Sequence, residues 1–532
     1  MKANLSLIVL FFILFFNPCQ SESPNEWIKI ANAELERALK TERIIQRPKN
    51  VVFFLGDGMG IATSTGARIY KGQINGRNGE EGSLTFEKFP HVGLSKTYND
   101  DAQVPDSAGS ATAFFSGQKA ALGVIGLNSN ARYGNCSSAQ GNHITSILEW
   151  AQKAGKATGI VTTTRITHAT PAGTYAHTPD RDWETYVNGS DDADRAGCKD
   201  IARQLVEDLP GRDIRVIFGG GELHFLPTNE TDSWSKNLTG LRQDGRNLIK
   251  EWRIRKMAAG HGNRSRTIST GAQLNALNAS QTDFVLGLFA PSHLSFDLLR
   301  ANHTPKQPTI HEMTKKAIEI LQKNEDGFFL MIEGGRIDHG HHDNHAKLAF
   351  HDTVAFDAAV EVALEMLPDN DTLFVVTSDH SHTIRIGGWP GRGESILKGQ
   401  GVNMGSDGLP FLTLSYANGP SAANNANGSR RNLTGLATDV DVFQQDALVP
   451  LKYETHGGED VAIYAKGPFA HLFHTLHEQH YIPVAIDYAA CYRSTAAQHC
   501  NKTTAISAAP PAPMNWPSII RVLVFCLVFI LL

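Results

Sequence analysis

The apolar run Phe328-Phe329-Leu330-Met331-Ile332 ends on Glu333 and a pair of glycines, and other runs in the chain are built the same way. Such a run, closed by a glycine turn, reads as a buried strand. Val51 to Leu55 leads into Gly56-Asp57-Gly58, and Thr372 to Thr377 leads into Ser378-Asp379-His380-Ser381-His382. Ligands grouped at the carboxyl ends of buried strands are what an open α/β sheet needs to build a site. Three acids delivered this way to one sheet edge come within reach of a common crevice.

Further short apolar or β-branched runs at Ala157 to Thr162, Arg215 to Phe218 and Val461 to Tyr464 alternate with helical patterns. Between the Phe328 and Thr372 strands, Ala346 to Leu367 carries Ala346, Phe350, Val354 and Ala358 at four-residue spacing, one face of a helix. The expected fold class is α/β: a large, mostly parallel central sheet with helices on both faces. It occupies 22–386 and 453–507. Residues 387–452 are rich in Gly, Asn and Ser without long periodicity, and read as an irregular inserted subdomain. Trp27 to Leu39 reads as an amphipathic helix outside the sheet. No internal repeat is present.

The two ends carry addresses. Met1-Lys2, the apolar stretch Leu5 to Phe16 and Cys19-Gln20-Ser21 make residues 1–21 a secretory signal peptide. Ile519 to Leu532 is apolar except for Arg521 and falls short of the roughly 20 residues a membrane span needs. Small residues at Ser507-Ala508-Ala509, a proline-rich spacer and that tail match a GPI-attachment signal, with Ser507 as the anchor residue and 508–532 removed. A tail anchor is the alternative, and it conflicts with the N-terminal signal. The expected location is the cell surface, on the outer leaflet of the plasma membrane. After processing, Cys136, Cys198, Cys491 and Cys500 remain, and four cysteines allow three connectivities. Cys491 with Cys500 closes a short local loop, which leaves Cys136 with Cys198. Sequons including Asn188, Asn237, Asn278 and Asn432 fit a glycosylated ectodomain. The net charge of −5 offers no basic patch for nucleic acid.

Four segments carry chemistry. In EGGRIDHGHH, Glu333 is a hard oxygen donor suited to magnesium, while Asp338 and His342 together suit zinc. In VPDSAGSATAFFSG, Ser107 stands at a helix start, where a serine is either a cap or a nucleophile. As a nucleophile it needs activation, and no Gly-x-Ser-x-Gly elbow surrounds it; direct coordination to a metal would supply the activation instead. In VTTTRITHATPAGTYAHTPDRDW, Thr170 offers a hydroxyl to a hard metal, His168 lies beside it, and the Arg181 fork matches phosphate oxygens. In KYETHGGEDVAIYA, His456 precedes a strand. His471, His474, His477 and His480 recur every three residues and read as the solvated face of a helix.

FLGDGMG, VPDSAGSATAF, TTTRITHATPAGTYAHT, FLMIEGGRIDHGHH, TSDHSH and ETHGGED stand in the order found in animal-type alkaline phosphatases, and the chain resembles that family from the N-terminal helix to the anchor signal. The resemblance implies two zinc ions and one magnesium per subunit. Asp338, His342 and His456 would hold the first zinc; Asp57, Asp379, His380 and Ser107 the second; Asp57, Thr170 and Glu333 the magnesium. Ser107 would attack the phosphorus of a phosphate monoester and pass through a phosphoserine, with Arg181 on the phosphoryl oxygens. Two metals roughly 4 Å apart stabilise both oxygens of an in-line displacement. His168 and His339 would support the metals and phosphate from behind, and His382 is structural or supporting. The family also implies a homodimer and a broad substrate range. Vertebrate members resemble one another in an added calcium site; aligned on Gly287-Leu288-Phe289, this chain has Ala290 and Pro305 where two of its acids would stand, so that site is expected to be absent. A sulfatase would need a Cys- or Ser-x-Pro-x-Arg signature, which the sequence lacks. An inactive binding protein would show eroded catalytic positions, whereas each is filled by a competent residue.

Overall fold

The computed structural model describes residues 24–185, 197–303, 305–398, 403–424, 429–493 and 497–500. The signal peptide, Ser507 with the C-terminal tail, and the Asn188 sequon lie outside these residues. Fifteen described strands follow in chain order: β1 (Asn50–Gly56), β2 (His91–Lys96), β3 (Ala157–Arg165), β4 (Val216–Gly220), β5 (Ser265–Ile268), β6 (Phe284–Leu288), β7 (Phe328–Gly334), β8 (Thr372–Thr377), β9 (Ser381–His382), β10 (Ile384–Ile386), β11 (Leu414–Gly419), β12 (Ala447–Pro450), β13 (His456–Gly457), β14 (Val461–Lys466) and β15 (Thr475–Glu478).

Ten of them form one sheet in the order β15-β2-β14-β8-β1-β7-β3-β4-β6-β5. All pairs are parallel except those of β14, which runs against both β2 and β8. The expected mostly parallel sheet is therefore present. Every residue of β1, β7 and β8 is buried, and the alternation of side chains shows why. Val52 and Phe54 enter one apolar layer, with Phe350 and Phe356 of helix Ala346–Met366 and Met313 and Ile318 of helix Ile310–Leu321. Val51, Phe53 and Leu55 enter the opposite layer, with Phe114 and Phe115 of helix Ser107–Ser116, Trp150 of helix Ile147–Lys153 and Ile486 of helix Tyr481–Ala490. Helices thus cover both faces, and a strand in this position has to be apolar throughout.

β1 lies between β7 and β8, with Leu55 opposite both Glu333 and Thr377. Asp57, Glu333 and Asp379 consequently emerge side by side at one edge. Within the stretch expected to be irregular, β11 and β12 join β10 in a three-stranded sheet that starts at Ile384, ahead of Gly387. Both disulfides are formed, Cys136–Cys198 and Cys491–Cys500.

The spacing of His471, His474, His477 and His480 does not produce one helix: His471 sits in the single 3-10 turn Ala470–Phe473, and the other three lie beyond it. Phe469 and Thr475 adopt left-handed backbone, which interrupts helical continuation, and Thr475–Glu478 adds to the sheet as β15 beside β2. The helix starts only at Tyr481. Helix Pro24–Leu39 matches the amphipathic reading and leaves Trp27, Ile28, Leu35 and Leu39 exposed. Among the described residues no helix is long and apolar enough to cross a membrane.

Candidate metal and phosphate site

Ser107 is the first residue of its helix, and the cap is Asp106, whose Oδ1 accepts the Gly109 amide at 3.0 Å. The serine hydroxyl is thus released from capping and lies 3.3 Å from His380 Nε2. The second carboxylate oxygen of Asp106 pairs with Arg181 Nη1 at 3.0 Å, while Arg181 Nη2 lies 3.3 Å from His168 Nε2. One acid therefore fixes both the helix start and the guanidinium beside it.

Behind Ser107, His380 Nε2 lies 3.1 Å from Asp379 Oδ2 and 3.5 Å from Asp57 Oδ1. The other oxygen of Asp379 accepts the amides of Gly58 and of His380. A second group gathers on helix Arg336–His342, where the i,i+4 spacing puts Asp338 and His342 on one face, 3.2 Å apart. His456 Nε2 closes it, 3.2 Å from His342 Nε2 and 3.5 Å from Asp338 Oδ1. His456 reaches there because the β13–β9 ladder sets it opposite His382. A third group joins Asp57, Glu333 and His168 as possible ligands of one ion. Glu333 Oε2 accepts from Thr162 and Thr164 on the neighbouring strand β3. All nine residues expected to hold metal converge in these groups or, for Thr170 in the short helix Ala169–Ala172, are buried among them.

Both carboxylate oxygens of Asp57, Oε1 of Glu333, Oδ2 of Asp379 and Oγ1 of Thr170 are buried with no hydrogen-bond partner. Leaving such groups unpaired in the interior is costly. Oxygen and imidazole donors at this density are what divalent cations require. The residues fit the metals that the sequence implies.

A profile of the family described as "Alkaline phosphatase" matches residues 48–492. The chain belongs to the alkaline phosphatase family. The tissue-nonspecific alkaline phosphatase of Gallus gallus is 46% identical over 499 residues, covering 93% of both chains. An alkaline phosphatase of Gadus morhua is 47% identical over 479 residues, covering 89% of this chain and 98% of its own. Among solved structures, the Thermus thermophilus alkaline phosphatase superposes with a TM-score of 0.60 at 23% identity, over 86% of this chain and 94% of its own, a likeness of fold. Membership makes the chain an enzyme, an alkaline phosphatase that hydrolyses phosphate monoesters.

The electrostatics of this phosphatase pocket follow from its burial. Asp57 is raised well above the ordinary carboxylate range by burial and then by Asp379, Asp338 and Glu333. Burial pushes Glu333 up to about 7, against the hydroxyls of Thr162 and Thr164. Asp338 goes the other way: burial opposes the shift, but His342, His382 and His456 outweigh it and hold the carboxylate ionised. Burial, then Arg181, lowers His168; burial, then Arg336, lowers His339; burial, then His456, lowers His380. All three are neutral imidazoles, the form that ligates metal.

Five participants were not marked by the sequence. Asp106 holds Arg181. Thr162 and Thr164 hold Glu333. His293 packs its ring 4.4 Å from His339 and 5.3 Å from His168. Glu454 bonds His382. Asp106 could have been found as the acid directly before Ser107; the others depend on tertiary neighbours that no local pattern records.

Proposed function

We propose that the chain hydrolyses phosphate monoesters through a phosphoserine at Ser107, at a centre holding two zinc ions and one magnesium. The observation that carries this reading is the set of buried, unpartnered oxygens on Asp57, Thr170, Glu333 and Asp379 beside Ser107 and Arg181. Asp338, His342 and His456 would hold one zinc; Asp57, Asp379 and His380 the other with Ser107; Asp57, Thr170 and Glu333 the magnesium. Bound there, the cations would supply Lewis acidity, lowering the pKa of the serine hydroxyl and offsetting phosphoryl charge. Ser107 Oγ forms a bond to phosphorus as the ester P–O bond breaks, and the released alcohol leaves. Water then cleaves the phosphoserine, returning the hydroxyl and freeing phosphate. Arg181 holds the non-bridging oxygens in bidentate fashion, steadied by Asp106. His168 and His339 keep that oxygen cluster supplied with neutral ring nitrogens. Because these groups address the phosphoryl end, the alcohol is loosely constrained and the substrate range is broad.

The same reading places the mature enzyme on the outer leaflet through a GPI anchor at Ser507, after loss of residues 1–21 and 508–532. The division into a catalytic body at 22–386 and 453–507 and an inserted, crown-like subdomain at 387–452 belongs to this proposal. So does a homodimer, supported by the apolar side chains that helix Pro24–Leu39 and strand β12 leave exposed. The proposal also includes loss of the calcium site, since neither Ala290, which is buried, nor Pro305 has a side-chain ligand atom. The test is hydrolysis of a chromogenic phosphate monoester by wild type and Ser107→Ala, each with and without a zinc chelator. Activity confined to zinc-replete wild type is expected. Wild-type turnover that survives zinc removal, or an unimpaired alanine variant, overturns the mechanism.

A further inference from the structure

His382 is buried between two carboxylates. Its Nε2 lies 2.7 Å from Asp338 Oδ1, and its Nδ1 is hydrogen-bonded to Glu454 Oε2. Glu454 is itself buried, and its other oxygen accepts the Thr383 amide at 2.6 Å. Its main chain serves the same region: the carbonyl meets His342 Nδ1 at 2.6 Å, and the amide donates to the His342 carbonyl at 2.9 Å. Held by Asp338 at one ring nitrogen and by Glu454 at the other, the ring is clamped in one orientation.

We propose that Glu454 is a positioning residue for the Asp338–His342–His456 group, acting through His382 on the Asp338 carboxylate and through its own carbonyl on the His342 ring. The oxygen of Asp338 that His382 holds is the one facing His342 and His456, at 3.2 and 3.5 Å, and such outer partners commonly govern metal retention about 10–100-fold. The location gives the contact a second meaning. Glu454 follows β12, and its neighbour Thr455 is tied to Asn418 of β11 by two hydrogen bonds, of 2.8 and 3.0 Å. From the same strand, Tyr416 OH meets His341 Nδ1 at 2.8 Å. The small sheet is thereby coupled to the edge of the main sheet at the metal-holding residues.

This inference rests on the zinc reading above, and a release experiment separates the two. Zinc-loaded full-length protein is mixed with a chromophoric chelator, and the release rate is followed for wild type, Glu454→Gln, His382→Gln and the double variant. Glu454→Gln should release the zinc about tenfold faster or more. In the His382→Gln background the same substitution should add less than half of that effect on a logarithmic scale. The ratio of kcat to KM with excess zinc should recover toward wild type in Glu454→Gln, because the ligands themselves are intact. If Glu454→Gln does not fold, Glu454→Asp carries the test, since it keeps the charge and withdraws it by one methylene. Wild-type release from the Glu454 variant, or an effect undiminished without His382, overturns the proposal. Failure of wild type to take up zinc at all would instead overturn the functional reading on which it stands.

Discussion

Asp106 accepts the Gly109 amide with one oxygen and the Arg181 guanidinium with the other, each at 3.0 Å, so a single side chain caps the helix that begins at Ser107 and aims the guanidinium proposed to hold phosphate. Asp106→Ala should therefore lose about 1 kcal/mol of stability, the ordinary cost of a lost cap. It should also lower kcat/KM about 10²–10³-fold through a misplaced guanidinium. Ser107→Ala should abolish turnover yet leave the denaturant midpoint unchanged, since Ser107 caps nothing. Urea melts paired with initial rates distinguish the two variants. The backbone at Gly58 is constrained in the same neighbourhood. Its φ is +68°, and a Cβ there would come within 2.5 Å of His382 Nε2. Gly58→Ala is expected to cost at least about 1 kcal/mol from the left-handed conformation and to weaken zinc retention by pushing the ring that holds Asp338; melting of the metal-free protein and zinc content of the loaded one read these separately. The sequence marked Asp57, Glu333 and Asp379 because each follows an apolar run. It could not mark Glu454 or Thr162, whose importance comes from partners 72 and 171 residues away.

At the level of elements, legibility follows burial. β1, β7 and β8 are buried on both faces and appear in the sequence as continuous apolar runs, and helix Ala346–Met366 shows its periodicity because one side faces the core. β2 alternates between buried and open positions, and β5 is half-buried throughout at the edge of the sheet. Neither has enough apolar length to stand out. β6 is mostly buried, but Gly287 interrupts its run. The three-residue histidine spacing misled for a related reason: it follows the polar rim of an edge strand and its turns, where solvent rather than helical geometry sets the pattern. In the α/β layer the sequence pattern and the packing coincide. In the inserted sheet β10-β11-β12 they do not, because short strands of mixed polarity are held by contacts with the main body, such as Tyr416 to His341.

For the whole molecule, the balance of buried charge predicts a pH signature. Asp352 is buried beside Asp297, and burial followed by that neighbour raises it from 3.8 to about 8. Its proton is held in the folded state and already lost in the unfolded state between those values, so its contribution to stability falls as pH rises from about 4 through about 8. Glu333 acts in the same direction between 4.5 and about 7, but only in the metal-free protein, where no cation compensates its charge. The stability of wild type relative to Asp352→Asn should decline across the wider window with or without metal. Loading zinc and magnesium should flatten the part that ends near pH 7. Denaturant melts at stepped pH check both statements, the first as the difference between the two proteins and the second as the slope of wild type with and without metal; a difference that grows more favourable with pH would contradict the first, and equal slopes with and without metal the second. Most directly, the proposed phosphoserine route requires Ser107 to carry the phosphoryl group between the two halves of the reaction. Acid quenching of the zinc- and magnesium-loaded enzyme during turnover of a phosphate monoester, followed by peptide mass analysis, should find one phosphoryl group on the peptide containing Ser107 and none in Ser107→Ala. Phosphate on any other residue, or full turnover with no labelled peptide at acidic quench, would contradict the account.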